Sequence, residues 1–135
     1  MIKFDKDYFQ KIEFSQKQLE QFLDSAKRDL IIAKQSDVPE VVFKFAYDAL
    51  LKLGIYVIAK RGYKVKARSG HHVKILEKLA QILKNDDVFV LGNKMRQDRN
   101  LGLYSGGSPA TEKESDEYLT FVEKVFSDIL DKGVL

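Results

Sequence analysis

Apolar positions recur at three- and four-residue intervals through most of this chain and nowhere alternate one by one over a useful stretch. That period sets buried side chains along one stripe of a helix. The first stripe is Leu19, Phe22, Leu23, Ala26, Leu30 and Ala33. It opens at Ser15, which forms a capping box with Gln18: the serine oxygen accepts from the N3 amide and the glutamine reaches back. Pro39 interrupts the stripe and suits the first turn of a second helix, started by Ser36, Asp37 or the Val38 carbonyl. This second helix carries Val42, Phe45, Ala46, Ala49, Leu50, Leu53, Val57 and Ile58. It is expected to stop at Arg61, where Gly62 can take the left-handed conformation.

A third helix, about His71 to Lys84, places Val73, Leu76, Leu79, Ala80 and Leu83 on one side. Asn85 closes it, and Asp86 or Asp87 caps a fourth helix bearing Val88, Leu91 and Met95. Ser105-Gly106-Gly107-Ser108-Pro109 reads as a loop. Thr111 and Glu114 form a second capping box, opening a last helix with Leu119, Val122, Phe126, Ile129 and Leu130 that Gly133 ends. Residues 1–14, with Phe4, Tyr8, Phe9 and Ile12, read as a short extra helix or an arm that covers the bundle or a partner subunit. The expected fold is all-α, an up-and-down bundle of four to five helices over residues 15–132.

Composition narrows the chemistry. A chain of 135 residues is expected to form one domain, and 44% apolar residues among mixed charges argue against disorder. Cysteine is absent, which excludes disulfides, thiolate nucleophiles and Cys-ligated metals together. The opening Met1-Ile2-Lys3-Phe4-Asp5-Lys6-Asp7 is too charged for a signal peptide, and no uncharged run reaches transmembrane length. A cytoplasmic location without membrane contact is the expectation.

Net charge is only +3, but it is unevenly spread. Lys60, Arg61, Lys64, Lys66 and Arg68 fall within nine residues with no acid among them. With Tyr63 in their midst, they suit a phosphate backbone and a stacked base; an acidic protein partner or plain solvation would use the same charges. Arg96-Gln97-Asp98-Arg99-Asn100-Leu101-Gly102-Leu103-Tyr104 holds the most pointed chemistry. Guanidiniums grip phosphate through paired donors, and amides and phenols read or stack on bases. Arg96 and Asn100 share a helix face, whereas Arg99 and Tyr104 meet only if the helix ends or bends, for which Gly102 offers a place. A tyrosine of pKa ~10 is a poor base near neutrality, so proton transfer has no obvious agent here. His71 and His72 sit at a helix N-terminus, where the dipole favours neutral rings able to accept a proton. Adjacent residues diverge and no third ligand stands at a useful spacing, so no metal and no cofactor is expected. The Gly-rich loop after Tyr104 is not a P-loop, because no Gly-Lys-Ser/Thr follows.

The amphipathic first helix with Ala26 and Ala33, the run Phe45-Ala46-Tyr47-Asp48-Ala49-Leu50-Leu51, the basic loop into Gly70-His71-His72, and Arg99-Asn100 before a Gly-rich loop and a final helix occur in that order from Ser15 to Leu130. In this the chain resembles the HEPN superfamily (higher eukaryotes and prokaryotes nucleotide-binding). Many members carry an Arg, four to six residues, and then a His. That motif implies a metal-independent endoribonuclease, usually a homodimer with both motif copies at the interface. Many are toxins neutralised by a partner nucleotidyltransferase or another antitoxin. Arg99 and Asn100 match the first half of the motif; Tyr104 stands where the His would be, as in a branch with Tyr at that position. The resemblance implies RNA or nucleotide binding, with Arg99, Asn100 and Tyr104 as the catalytic set. Arg96, His71, His72, Lys64, Lys66 and Arg68 are the expected binding residues. The alternative is a non-catalytic module whose partner is a separately encoded nucleotidyltransferase, and a third reading is a plain structural dimer.

Overall fold

The computed structural model describes residues 2–105 and 111–131, without the side chains of 102–105. Its elements run β1 (Phe9–Lys11), α1 (Gln16–Gln35), α2 (Pro39–Lys60), β2 (Tyr63–Val65), α3 (His71–Leu83), α4 (Asp86–Ser105) and α5 (Glu112–Leu130). Among the described residues no helix is long and apolar enough to cross a membrane. The architecture is the expected all-α bundle, with five helices and one small ribbon among the described residues.

Both capping boxes form. Ser15 Oγ accepts from the Gln18 amide at 3.2 Å and Gln18 Oε1 from the Ser15 amide at 2.8 Å. The Thr111–Glu114 box is made in the same way, at 3.1 and 3.2 Å. Pro39 opens α2 after Val38 as N-cap, and Gly62, at φ 84°, follows the helix end. Two ends differ from expectation. Lys84, not Asn85, takes the left-handed conformation that closes α3. Asn85 then caps α4, its Oδ1 accepting from the Asp87 amide at 3.1 Å, which leaves Asp86 and Asp87 in the first turn beside the positive end of the dipole. Ser105, the first residue of the expected loop, still belongs to α4; the rest of that loop, Gly106 to Pro109, and the expected stop at Gly133 lie outside the described residues.

α2 is apolar almost all round and is accordingly the central helix, touching the other four. Tyr47, Ala46, Leu50, Leu53, Val57 and Ile58 on it are fully buried. α1 adds Ala26 and Ala33, and binds α2 through a buried acid: Asp29 Oδ2 lies 2.8 Å from Lys52 Nζ. α3 crosses α2 at Gly54, where a Cβ would stand only 2.5 Å from Ile75 Cγ2, and α4 approaches α3 at Gly92, 2.8 Å from Leu76 Cδ2 in the same sense. Small residues at these two positions let the backbones come close. α4 is tied to α5 by one polar cluster: Tyr118 donates to Asp98 Oδ2 at 2.6 Å, and Lys94 Nζ donates to Tyr118 Oη at 2.6 Å and Asp98 Oδ2 at 3.1 Å. These two hydrogen bonds hold the Lys94 pKa above its ordinary value.

Residues 2–14 form an arm with a strand in it and no helix. β1 pairs antiparallel with β2 in the register Phe9–Val65, Gln10–Lys64 and Lys11–Tyr63. The stretch read as a basic loop, 62–70, is therefore partly a strand; three residues are too few to show alternation. Phe4 stacks on Tyr63 with ring centroids 4.2 Å apart and meets Phe9 edge-on at 5.3 Å. Lys78, buried on α3, sets its ammonium 5.7 and 5.9 Å from the Phe4 and Phe9 rings.

Candidate nucleic-acid interface

The arm shapes the turn that leads into α3. Lys66 Nζ donates to the Lys6 carbonyl at 2.6 Å, Arg68 Nη1 to the Asp7 carbonyl at 2.8 Å, and Tyr8 Oη to the Ser69 carbonyl at 3.0 Å. The Tyr8 ring lies near the Arg68 guanidinium (5.3 Å) and the Lys74 ammonium (5.1 Å), and Lys74 pairs with Asp5 at 3.3 Å. Gly70 is the α3 N-cap at φ 84°; a Cβ there would also press to 3.2 Å from the Tyr8 hydroxyl. With Gly70 left-handed, the chain turns sharply and presents His71 and His72 at the start of α3.

This turn and α4 form the two walls of a groove of about 480 Å³. It is lined by Arg68, Ser69, Gly70, His71, His72, Arg96 and Asn100, with Ala67 and Val73. His71 Nδ1 lies 2.7 Å from the Arg68 carbonyl oxygen. His72 Nδ1 lies 3.2 Å from the hydroxyl of Tyr47, which rises from α2 beneath the groove. The two imidazoles meet edge to face with centroids 4.5 Å apart. Arg96 Nε donates to Asn93 Oδ1 at 2.9 Å, and the Arg99 guanidinium carbon sits 5.9 Å from the centre of the Tyr47 ring.

Burial and charge tune these groups. Burial pushes the Tyr47 phenol up to about 12, against the pull of Arg99 and Arg96, so it is protonated throughout the physiological range. The His72 pKa is lowered, by burial first and then by His71, Arg99 and Arg96, with Asp48 opposing. The helix dipole alone predicts a neutral ring; desolvation and three positive or protonatable neighbours push His72 the same way.

The groove gathers Arg68, His71, His72, Arg96 and Asn100 from two stretches of chain. Arg99 stands beside it, over Tyr47, and Asp98 bonds Lys94 and Tyr118 rather than Arg99. Lys64 is exposed on β2 opposite Gln10, and Lys66 is tied to the arm; neither lines the groove. Tyr63, the aromatic that the basic run offers for stacking a base, already stacks on Phe4. α4 continues through Gly102 to Ser105, so the helix end that would bring Arg99 and Tyr104 together does not fall there. The side chain of Tyr104 lies outside the described residues.

Two contributors escaped the sequence pattern. Tyr47 falls inside an apolar run and reads as core, though a buried phenol needs a polar partner, and that need is the signal. Tyr8 sits in a segment with no periodicity to place it. Among the described residues no group of three or more His, Cys, Asp or Glu could hold a metal ion. No protein-family model, curated protein or solved structure matches the chain.

Proposed function

We propose that this chain is a HEPN-like RNA-binding bundle, and that its groove holds a phosphodiester of single-stranded RNA and cleaves it without a metal. The observation that supports this best is the meeting of Arg68, His71 and His72 with Arg96 and Asn100 on one groove, with Arg99 alongside. Guanidiniums on both walls neutralise a phosphate that an isolated arginine would hold weakly. In the reaction the 2′-hydroxyl attacks the adjacent phosphorus and leaves a 2′,3′-cyclic phosphate and a 5′-hydroxyl. Arg96 and Arg99 offset the charge that builds on the phosphorus oxygens, and Asn100 orients the strand.

Two exposed apolar residues of α4, Val90 and Leu101, stand three turns apart on one face (60% and 66% exposed). They favour a second copy of the chain seated along α4, so that the acting form is a cytoplasmic homodimer. In that form it would serve as the toxin of a toxin–antitoxin pair, with a nucleotidyltransferase as its neutralising partner.

The experiment is cleavage of a mixed-sequence single-stranded RNA by purified protein in chelator, beside Arg99→Ala. Cleavage that depends on Arg99 and leaves cyclic phosphate ends is the expected result. RNA bound but never cut would leave only a binding module; RNA neither bound nor cut would remove the reading. Leu101→Glu should shift the protein from dimer to monomer in sedimentation, and an unchanged mass would refute the dimer.

A further inference from the structure

The proposed cleavage needs a group to take the 2′-hydroxyl proton, and the two histidines, neighbours in sequence, are not equivalent in the groove. The Arg68 carbonyl can only accept a hydrogen bond. At 2.7 Å from it, His71 Nδ1 must carry the hydrogen, and in the neutral ring the lone pair is then on Nε2. No other hydrogen bond among the described residues engages that ring. His72 is held the opposite way. The Tyr47 phenol is fully buried and stays protonated, and its hydroxyl hydrogen needs an acceptor. His72 Nδ1, at 3.2 Å, is the partner the structure provides, which leaves the hydrogen of His72 on Nε2.

Resting on the ribonuclease reading above, we propose that His71 is the general base of this groove, acting through Nε2, while His72 donates from Nε2–H to a non-bridging phosphate oxygen. As the 2′ oxygen bonds to phosphorus, its proton passes to His71 Nε2. The bond from phosphorus to the 5′ oxygen breaks, and that oxygen takes a proton from water on the open side of the groove. The hydroxide left behind removes the extra proton from His71 and restores it. His72 gains and loses no proton; it is a neutral donor, the state that its buried setting and the nearby arginines favour. Adjacent positions on a helix would send the rings apart, yet their centroids lie 4.5 Å from each other, close enough to reach two atoms of one phosphodiester. Tyr47 touches no substrate in this scheme and is a positioning residue: its hydroxyl fixes which nitrogen of His72 carries the hydrogen.

The first test is nitrogen-15 NMR of the imidazoles in the intact protein, near neutral pH or above. Opposite neutral tautomers are expected, Nδ1–H for His71 and Nε2–H for His72; the same tautomer in both overturns the proposal. Tyr47→Phe should release the His72 tautomer and leave that of His71 unchanged. The second test compares RNA substrates with a bridging 5′ oxygen or a bridging 5′ sulfur, which leaves without needing a proton. His71→Ala should slow both by ~100-fold or more, the scale of a lost general base, and His72→Ala should also slow both alike. Rescue of either variant by sulfur would make that histidine an acid and overturn its assignment, as would near-wild-type cleavage by His71→Ala. A 2′-deoxy oligonucleotide, which cannot be cut, reports binding in parallel. Wild-type protein that binds it but cuts neither RNA overturns this assignment and spares the groove; failure to bind at all removes the ribonuclease reading beneath it.

Discussion

Replacing Gly54 by Ala tests the closest helix crossing in the bundle. An alanine Cβ would sit 2.5 Å from Ile75 Cγ2, and the Ile75 carbonyl oxygen lies behind it at 3.7 Å. The methyl it meets belongs to a β-branched side chain, stiff about χ1 and almost fully buried, so it cannot swing away without moving α3. Overpacking of this sort costs about 1–3 kcal/mol, whereas alanine in place of glycine favours the helix by about 1 kcal/mol. With a clash this deep the first effect wins, and the variant should be destabilised by about 1–2 kcal/mol. Urea unfolding followed by circular dichroism would show a lower midpoint at unchanged slope. The cause is isolated by repeating the substitution in an Ile75→Ala background, where the obstructing methyl is gone. There Gly54→Ala should become neutral or stabilising by up to about 1 kcal/mol. An equal loss in both backgrounds, or a gain in the otherwise wild-type protein, would refute the close crossing.

Three other outcomes follow from the same geometry. Because the folded pKa of His72 is below the ordinary 6.5, the unfolded chain protonates first; stability contributed by the neutral ring is present above pH 6.5 and lost as pH falls through the folded value. Unfolding midpoints over that window should fall for wild type and fall less for His72→Gln, and parallel curves would sink the argument. Asp29→Ala leaves Lys52, about one-third exposed, without its buried partner, and should cost about 1–2 kcal/mol because the lysine can partly rehydrate; a loss below ~0.5 kcal/mol by urea titration would contradict it. Tyr8→Phe removes the bond to the Ser69 carbonyl but keeps the ring between Arg68 and Lys74. Global stability should change by no more than about 1 kcal/mol while affinity for single-stranded RNA declines, and unaltered affinity would detach Tyr8 from the groove.

What could be read from the chain beforehand was local. Ser15 with Gln18, Thr111 with Glu114, Pro39 and Gly62 mark helix ends because each satisfies or releases a backbone group within a few residues. Stripe period then gives the helices. Facts that depend on which helix faces which are not written in any such interval. Tyr47 and His72 meet only because α2 and α3 cross at Gly54, and nothing near residue 47 announces the register of residue 72. The ribbon failed for a different reason: β1 and β2 are too short for a period, and their partners are remote in sequence. The four-residue spacing of Arg96 and Asn100 places them on one face, and they share the groove. Arg99 and Tyr104 depend on a helix end that does not fall at Gly102. Charge alone groups Lys64 and Lys66 with Arg68, but the strand and the arm separate them.

The arm also gives the groove its own clock. Tyr8 and Ser69, bonded to each other, are 61 residues apart in the chain, so the turn before α3 takes its final shape only after a long loop closes. α1 with α2 and α3 with α4 pair through far nearer neighbours, whereas α2 with α5 closes a span as long as the arm's. Reopening the arm breaks the short ribbon, the Phe4–Tyr63 stack, the Asp5–Lys74 pair and a few bonds to backbone carbonyls, and uncovers Phe9, but it removes no contact between helices. Amide exchange at Lys66, whose N–H is held by the Tyr8 carbonyl, should therefore outpace exchange in the middle of α2 by orders of magnitude. A protein with every helix formed can spend part of its time with the histidine turn unfastened, and the proposed action on RNA would follow the fastened fraction rather than the folded one.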